Sequence, residues 1–383
     1  RLKDGIRARL LARLAIELSY AGEEERRAEL SSESVARGRA SGDPSALAAA
    51  LGARHVALWG PDELSERLAV SAEMLALAEH AGDRDAEALA RNWRVCDLIE
   101  LGDHAVAAAE IDAFARLADE LRVPRHRWYV PLWRAALAIS AGDTTAGREL
   151  ATEANALGRL AADANADVFL LIQQWMIGLI ERRMPADVVQ RVEERAANSP
   201  VAFEWGFSLV GTYALAGRID DARRAAAALD AAAMQRLPKD ANWIACMCEF
   251  VEGLAVLADT GRARLAHEWL APYADRQATC GRGSSIYGSV AFFAARAAAT
   301  AGERTEADHW FARAAAHNDQ LAAHGMSAQT RWRHGELLLA NDHGRAHDLL
   351  ARAKADAERL GLAHLAADID ATLSTAVSRV SSA

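Results

Sequence analysis

Lysine is scarce in this chain: of 383 residues only Lys3, Lys239 and Lys354 carry it, and arginine supplies the remaining positive charge. Acidic residues are interleaved with the arginines, and the net charge is −9. No concentrated basic face of the kind that grips a phosphate backbone is therefore expected, which argues against direct nucleic-acid binding. Prolines number eight and β-branched runs are few, so long stretches are free to be helical. Four cysteines (Cys96, Cys246, Cys248, Cys280) do not make a disulfide framework for a chain of this length. Nothing resembles a signal peptide, and a reducing cytoplasm is the expected setting. The longest apolar window, "WIACMCEFVEGLAVLA" (243–258), is too short for a bilayer and contains Glu249 and Glu252. It reads as a buried helix, so no membrane partner is expected. No G-x-x-x-x-G-K-[ST] loop and no basic recognition helix occurs, so neither ATP nor DNA chemistry is expected within this chain.

What the chain does have is regular punctuation. Glycine-containing turns at Gly22, Gly60, Gly102, Gly142, Gly217, Gly261 and Gly302 recur about every 40 residues. The one double-length gap is bisected by "ERRMPADVV", and a further turn falls near Asn341. Weaker breaks such as "SGDPS", "HAGDR", "RVPRH" and "CGRGS" alternate with these turns. Each unit therefore reads as helix, tight turn, helix, looser link. The expectation is about nine antiparallel hairpins and a last helix from about Leu362 to Val380, as one domain over 1–383 with no room for a β-sheet. The opening "RLKDGIRARLLARLAIEL" already has helical character, and the chain reads as a fragment of a longer protein.

A packing rule follows the same register. Nine residues before successive turn centres stand Leu51, Trp93, Trp133, Trp175, Ser208, Glu252, Phe293 and Trp332. Five residues after them stand Ser65, Ala107, Gly147, Val189, Ala222, Ala266, Ala307 and Ala346. A small residue in the second slot lets the two helices of a hairpin approach, and a large one in the first fills the space between hairpins.

The unit "LVGTYALAGRIDDARRA" (209–225) resembles a tetratricopeptide repeat through Leu209, Tyr213, Gly217 and Ala222. Other units keep mainly the glycine and the alanine and exceed the ~34-residue repeat of that family. The resemblance implies an all-α, TPR-like α-solenoid, a right-handed superhelix of helix hairpins. The runs "GDPSALAAALGARHVALWGPDELSERLAVSAEMLALAEHAGD", "WRVCDLIELGD" and "LAPYADRQATCGRGSSIYGSV" are similar to the C-terminal helical-repeat region of large actinobacterial STAND-class ATPase regulators. Such proteins often end in a LuxR-type helix-turn-helix or carry a cyclase domain. This likeness implies a non-catalytic sensor and protein-interaction module, whose partner is a protein segment, including the ATPase domain of the same polypeptide, or a small effector. ATP is implied for the parent protein and no cofactor for this chain. A stand-alone scaffold and an α-toroid enzyme are the alternatives.

Carried over from tetratricopeptide arrays, the inner-wall positions include Asn92, Cys96, Ile99, Tyr129, Gln174, Glu204, Phe207, Phe292 and Arg296, with Arg331 nearby. Trp128 and Trp205 lie outside the packing register and are added as groove aromatics. The wall is mostly apolar and has too few donors for a carboxylate clamp. Water must be kept off it, either by a superhelix closing on itself or by an amphipathic helix or apolar small molecule.

Other groupings read as structural. His343 and His347 have zinc-compatible spacing but lack the glutamate of a metalloprotease helix, so a solvated helix start is expected. Cys246 and Cys248 point about 200° apart on a helix and read as buried small hydrophobes. Cys280 falls in an expected loop as the more exposed thiol. "GRGSS" (281–285) reads as a linker with Ser284 or Ser285 capping the next helix, not as an anion loop.

Overall fold

The computed structural model describes residues 2–20, 23–199 and 201–381, with side chains for all of these except 2, 20 and 375–381. Gly22, the first of the expected turn glycines, lies outside the described residues. The chain forms two compact units, Arg1–Val130 and Pro131–Ala383. The first contains α1 (Leu2–Glu17), α2 (Glu24–Ser41), α3 (Pro44–Ala57), α4 (Leu64–Ala81), α5 (Arg84–Leu101), α6 (His104–Leu121) and the short α7 (Pro124–Arg127). Helix α8 (Tyr129–Ser140) carries the chain into the second unit, followed by α9 (Thr144–Leu160), α10 (Ala166–Glu181), α11 (Ala186–Asn198), α12 (Ala202–Leu215), α13 (Ile219–Ala227) and α14 (Ala231–Gln235). Then come α15 (Trp243–Leu257), α16 (Thr260–Leu270), β1 (Gln277–Cys280), β2 (Ser285–Ser289), α17 (Val290–Ala301), α18 (Arg304–Gln320), α19 (His324–Leu338), α20 (His343–Arg359) and α21 (Ala363–Ser381). The architecture is an all-α helical-repeat solenoid in which helices pack on their sequence neighbours.

A two-residue signal starts and stops many of these helices. Gly42, Gly82, Gly102 and Gly142 hold positive φ of 65–89°, the left-handed conformation that ends a helix. The aspartate after each glycine caps the next helix: Asp43, Asp83, Asp103 and Asp143 accept from the backbone N–H of Ser45, Ala86, Val106 and Ala146. Thus Gly-Asp closes one orphaned helix end and satisfies the next. The turn near Gly261 is built differently: Ala258 is left-handed, Asp259 caps, and Gly261 lies inside α16.

The packing register holds. Every residue in the large slot is buried, Ser208 and Glu252 included. In the small slot all but Ser65 are buried. At Gly147 a Cβ atom would stand 2.4 Å from Ile139 Cγ1, so α9 lies too close to α8 for any side chain there. Ser65 is exposed because the α3–α4 link is longer than the others, and Leu64 is buried in its place.

The expectation of no β-structure fails in one place. β1 and β2 form an antiparallel hairpin with Gln277 opposite Ser289, Cys280 opposite Ser285, and a register shift between Ala278 and Thr279. Three consecutive residues of its loop, Gly281, Arg282 and Gly283, have φ of 53–68°. Two of the three are glycines, which take that conformation without strain. The "GRGSS" run is therefore a hairpin turn, and the cap of α17 is Ser289, whose hydroxyl accepts from Ala291 N–H.

Within the second unit the array also returns on itself. Gln329 on α19 donates to the Leu179 carbonyl on α10 (2.8 Å), and α21 also packs against α10.

Candidate functional site

The inner-wall residues named above are mostly buried. In the first unit Asn92, Cys96, Ile99, Trp128 and Tyr129 are all inside. Cys96 donates its S–H to the Asn92 carbonyl (3.2 Å), and the rings of Trp128 and Tyr129 lie 4.4 Å apart. Trp128 is as fully buried as Trp133, so burial does not separate groove from packing tryptophans. In the second unit Phe207 packs edge-on against Phe203 and Phe250, and Phe292 against Phe293. Trp205 is half-buried against the core, and Glu204 is half-buried, with desolvation raising its carboxyl pKa. Gln174 accepts from Arg191, and Arg331 is tied to Asp319 and Asp356 at 2.6 and 2.9 Å. Most of these residues are thus buried.

The hairpin explains part of this. Its loop is held by Trp133 on α8, whose indole N–H donates to the Arg282 carbonyl (2.9 Å). Gln173 on α10 donates to the carbonyls of Ser284 and Leu132 (2.8 and 2.9 Å). Tyr287 lies 5.8 Å from the Trp175 ring and donates its hydroxyl to Glu249 on α15. Asn242, ahead of α15, accepts from Gly281 N–H and from the Cys280 thiol. Thus the chain's own hairpin lies against the first helices of several repeats, and every residue of β2 is buried. Glu249 is correspondingly perturbed: desolvation raises its carboxyl to about 7, against the pull of hydrogen bonds from Ser208 and Tyr287.

Two buried charge clusters were not read from the sequence as sites. In the first unit Asp97 on α5 accepts from His55 Nε2 (2.9 Å), Ser71 Oγ (3.0 Å) and Arg67 Nη1 (3.3 Å). Arg67 Nη2 continues to Glu100 (2.7 Å), and the His55 ring stacks on Trp93 at 4.5 Å. His55, Arg67, Ser71 and Asp97 are fully buried, which ties α3, α4 and α5 together. Both Ser71 and His55 point at the aspartate, not at each other, so this is not the relay of a nucleophilic triad.

In the second unit Glu252 on α15 faces two arginines and lies in the field of a third. Arg296 on α17 donates to both its oxygens, Nε to Oε1 at 3.2 Å and Nη2 to Oε2 at 3.1 Å. Arg182, the left-handed C-cap of α10, places Nη1 3.8 Å from Glu252 and Nε 3.6 Å from Asp368 on α21. Arg333 on α19 donates to Glu336 (2.8 Å). Both guanidiniums lie against the Trp332 ring, its centroid 3.5 Å from that of Arg333 and 5.4 Å from that of Arg182. Burial by itself would raise the Glu252 carboxyl, but the charges of Arg296, Arg182 and Arg333 override it and hold it below the usual range.

The remaining motifs are structural. His343 and His347 are exposed at the start of α20, with Asp342 as its cap. Among the described residues no group of three His, Cys, Asp or Glu side chains converges for a metal ion. Cys246 and Cys248 are buried, and desolvation pushes both thiols well up. Cys280, expected in a loop, ends β1, is half-buried and has its thiol pushed well up by burial. No described helix is long and apolar enough to cross a membrane.

The fold and these clusters define the class, a helical-repeat protein. Compared with known proteins, no family model matches the chain, and no curated protein matches it.

Proposed function

We propose that this chain is a non-catalytic, TPR-like sensor and protein-interaction module that restrains an ATP-dependent regulatory switch of the STAND type. The observation that carries the reading is α1. Its inward face is small, Gly5, Ala8, Ala12 and Ala15, whereas Ile6, Leu10 and Leu14, spaced i, i+4, i+8, are exposed, Leu10 by 67%. Large side chains outward and small ones inward is the reverse of a helix whose outer face meets water, which is polar there. Such an apolar stripe marks a surface that another protein segment covers. In this reading the segment is the ATPase portion of the same polypeptide, and effector binding to the array biases the ATPase between its states through differential affinity.

The test is a binding and ATP-hydrolysis assay of the chain with the nucleotide-binding segment encoded in the same reading frame. The chain is expected to bind that segment and change its hydrolysis rate, and Leu10→Asp with Leu14→Asp is expected to abolish both at unchanged helicity. If no nucleotide-binding segment is encoded there, the switch reading falls and a stand-alone scaffold takes its place.

A further inference from the structure

We propose that Arg182 and Arg333, backed by the Arg296–Glu252 pair, form a binding site for the phosphate group of a small molecule. The site rests on the sensor reading above only for its purpose, not for its chemistry. In this set two guanidinium groups face Glu252, with Arg333 beside them on the Trp332 ring, and that carboxylate is already engaged on both oxygens by Arg296. Nε and Nη1 of Arg182 are buried and find no hydrogen-bond partner among the described residues. The nearest acids, Glu252 and Asp368, stand at 3.8 and 3.6 Å, beyond hydrogen-bond reach. Buried guanidinium donors that lack a hydrogen bond are costly even beside a carboxylate, and an oxyanion within reach of them and of Arg333 would remove that cost.

The side chains of Arg182, Arg296 and Arg333 keep 12%, 10% and 13% of their surface, while Glu252 keeps 2%. The arginine side chains therefore touch solvent and the acid behind them does not, although Nε and Nη1 of Arg182 are themselves buried. The two other carboxylates, Asp368 and Glu336, are about half exposed, where pairing is weak and the side chains are free to swing aside. In the free chain Asp368 and Glu336 balance Arg182 and Arg333; with both turned out to solvent, three cations against one sealed carboxylate leave two positive charges, which a phosphate dianion matches and a monocarboxylate does not. Burial and the Arg296 charge hold Arg182 and Arg333 below the ordinary arginine range, Arg333 at about 10, and an incoming anion would relieve both effects. The groups belong to α10, α15, α17, α19 and α21, so occupancy would fasten the first of these helices to the last, as a sensor of this kind requires.

The experiment is titration of the whole chain with inorganic phosphate and, separately, glycerol 3-phosphate, at ionic strength held constant with chloride. Binding is followed by thermal shift and by phosphorus-31 line broadening. Saturable stabilisation of a few degrees is expected with at least one of the two. Arg182→Gln and Arg333→Gln are each expected to weaken it at least tenfold, Arg182→Lys by less, and the exposed-site control Arg345→Gln not at all. Tighter binding of the monoester would identify a phosphorylated metabolite as the source, and equal or weaker binding would identify free phosphate. No response beyond chloride to either probe, or a response that both glutamine variants preserve, would overturn the proposal. If Arg182→Gln does not fold, Arg333→Gln and Arg182→Lys decide it. Because only the chain and a small anion are present, failure here leaves the ATPase-coupling reading to its own test.

Discussion

Around Asp97 in the first unit, one carboxylate collects a histidine, a serine and an arginine, and that arginine passes its other end to a second carboxylate, Glu100. Around Glu252 in the second unit, one carboxylate meets two arginines, one of them with two idle buried nitrogens, and lies in the field of a third. In the first cluster Asp97, His55, Ser71 and Arg67 are sealed and only Glu100 at its end touches solvent; in the second the carboxylate is sealed and the arginines touch solvent. Burial of charge therefore serves two ends in one repeat design: a staple between neighbouring hairpins, and a receptor set whose missing partner is an anion.

The largest expected effect tests the staple. Asp97→Ala leaves His55, Ser71 and Nη1 of Arg67 buried without their shared acceptor, and should cost about 3–5 kcal/mol in denaturant unfolding, with no recovery on adding phosphate. A loss under about 1 kcal/mol would show that the cluster does not join α3, α4 and α5. Glu252→Gln should cost somewhat less, about 2–4 kcal/mol, and millimolar phosphate should restore part of it by standing in for the lost carboxylate. If phosphate restores Asp97→Ala as well, or neither, the contrast between the clusters disappears.

A third measurement isolates a neutral buried acid from both clusters. The Glu249 carboxyl is raised to about 7 in the folded chain against an ordinary 4.5. Between those values the folded state keeps a proton that the unfolded state has lost. Its contribution to stability is thus full below about pH 4.5 and declines as pH rises towards 7, by roughly 1.4 kcal/mol per pH unit at most. Subtracting the pH profile of Glu249→Gln from that of the unmodified chain should expose this decline. A flat difference would mean that the carboxyl is ionised inside the fold. The smallest effect belongs to Arg331→Gln, whose ion pairs to Asp319 and Asp356 reach solvent: a loss of at most about 1 kcal/mol by the same denaturant titration.

The hairpin period, the buried tryptophan slot and the final helix were legible because they repeat, and repetition averages out local noise. The strands were not, because "QATC" and "SIYGS" are each shorter than a helical turn and a half, too short for a strand period to stand out. Their glycine-rich loop carried the signal and was taken for a linker. The charged clusters had left a trace. Glu252 occupies a slot that other repeats fill with Trp, Phe or Leu, and a carboxylate in a packing register demands buried cations. Which arginines answer it was not legible, since Arg182, Arg296 and Arg333 come together only when α10 returns to α19.

The hairpin also alters how the second unit comes apart. Repeat arrays ordinarily melt piecemeal, each hairpin lost at the cost of one neighbouring interface. Here the Trp133–Arg282 and Gln173–Ser284 bonds join residues 149 and 111 positions apart. Such long-range closure is paid for in chain entropy before any contact rewards it, which slows folding and makes loss of the ends of the unit inseparable from loss of its middle. The first unit, whose described helices pack mainly on near neighbours in sequence, keeps more freedom to open hairpin by hairpin. A protease or a calorimeter would therefore meet two different materials in one chain: a gradual one before residue 130 and an all-or-none one after it.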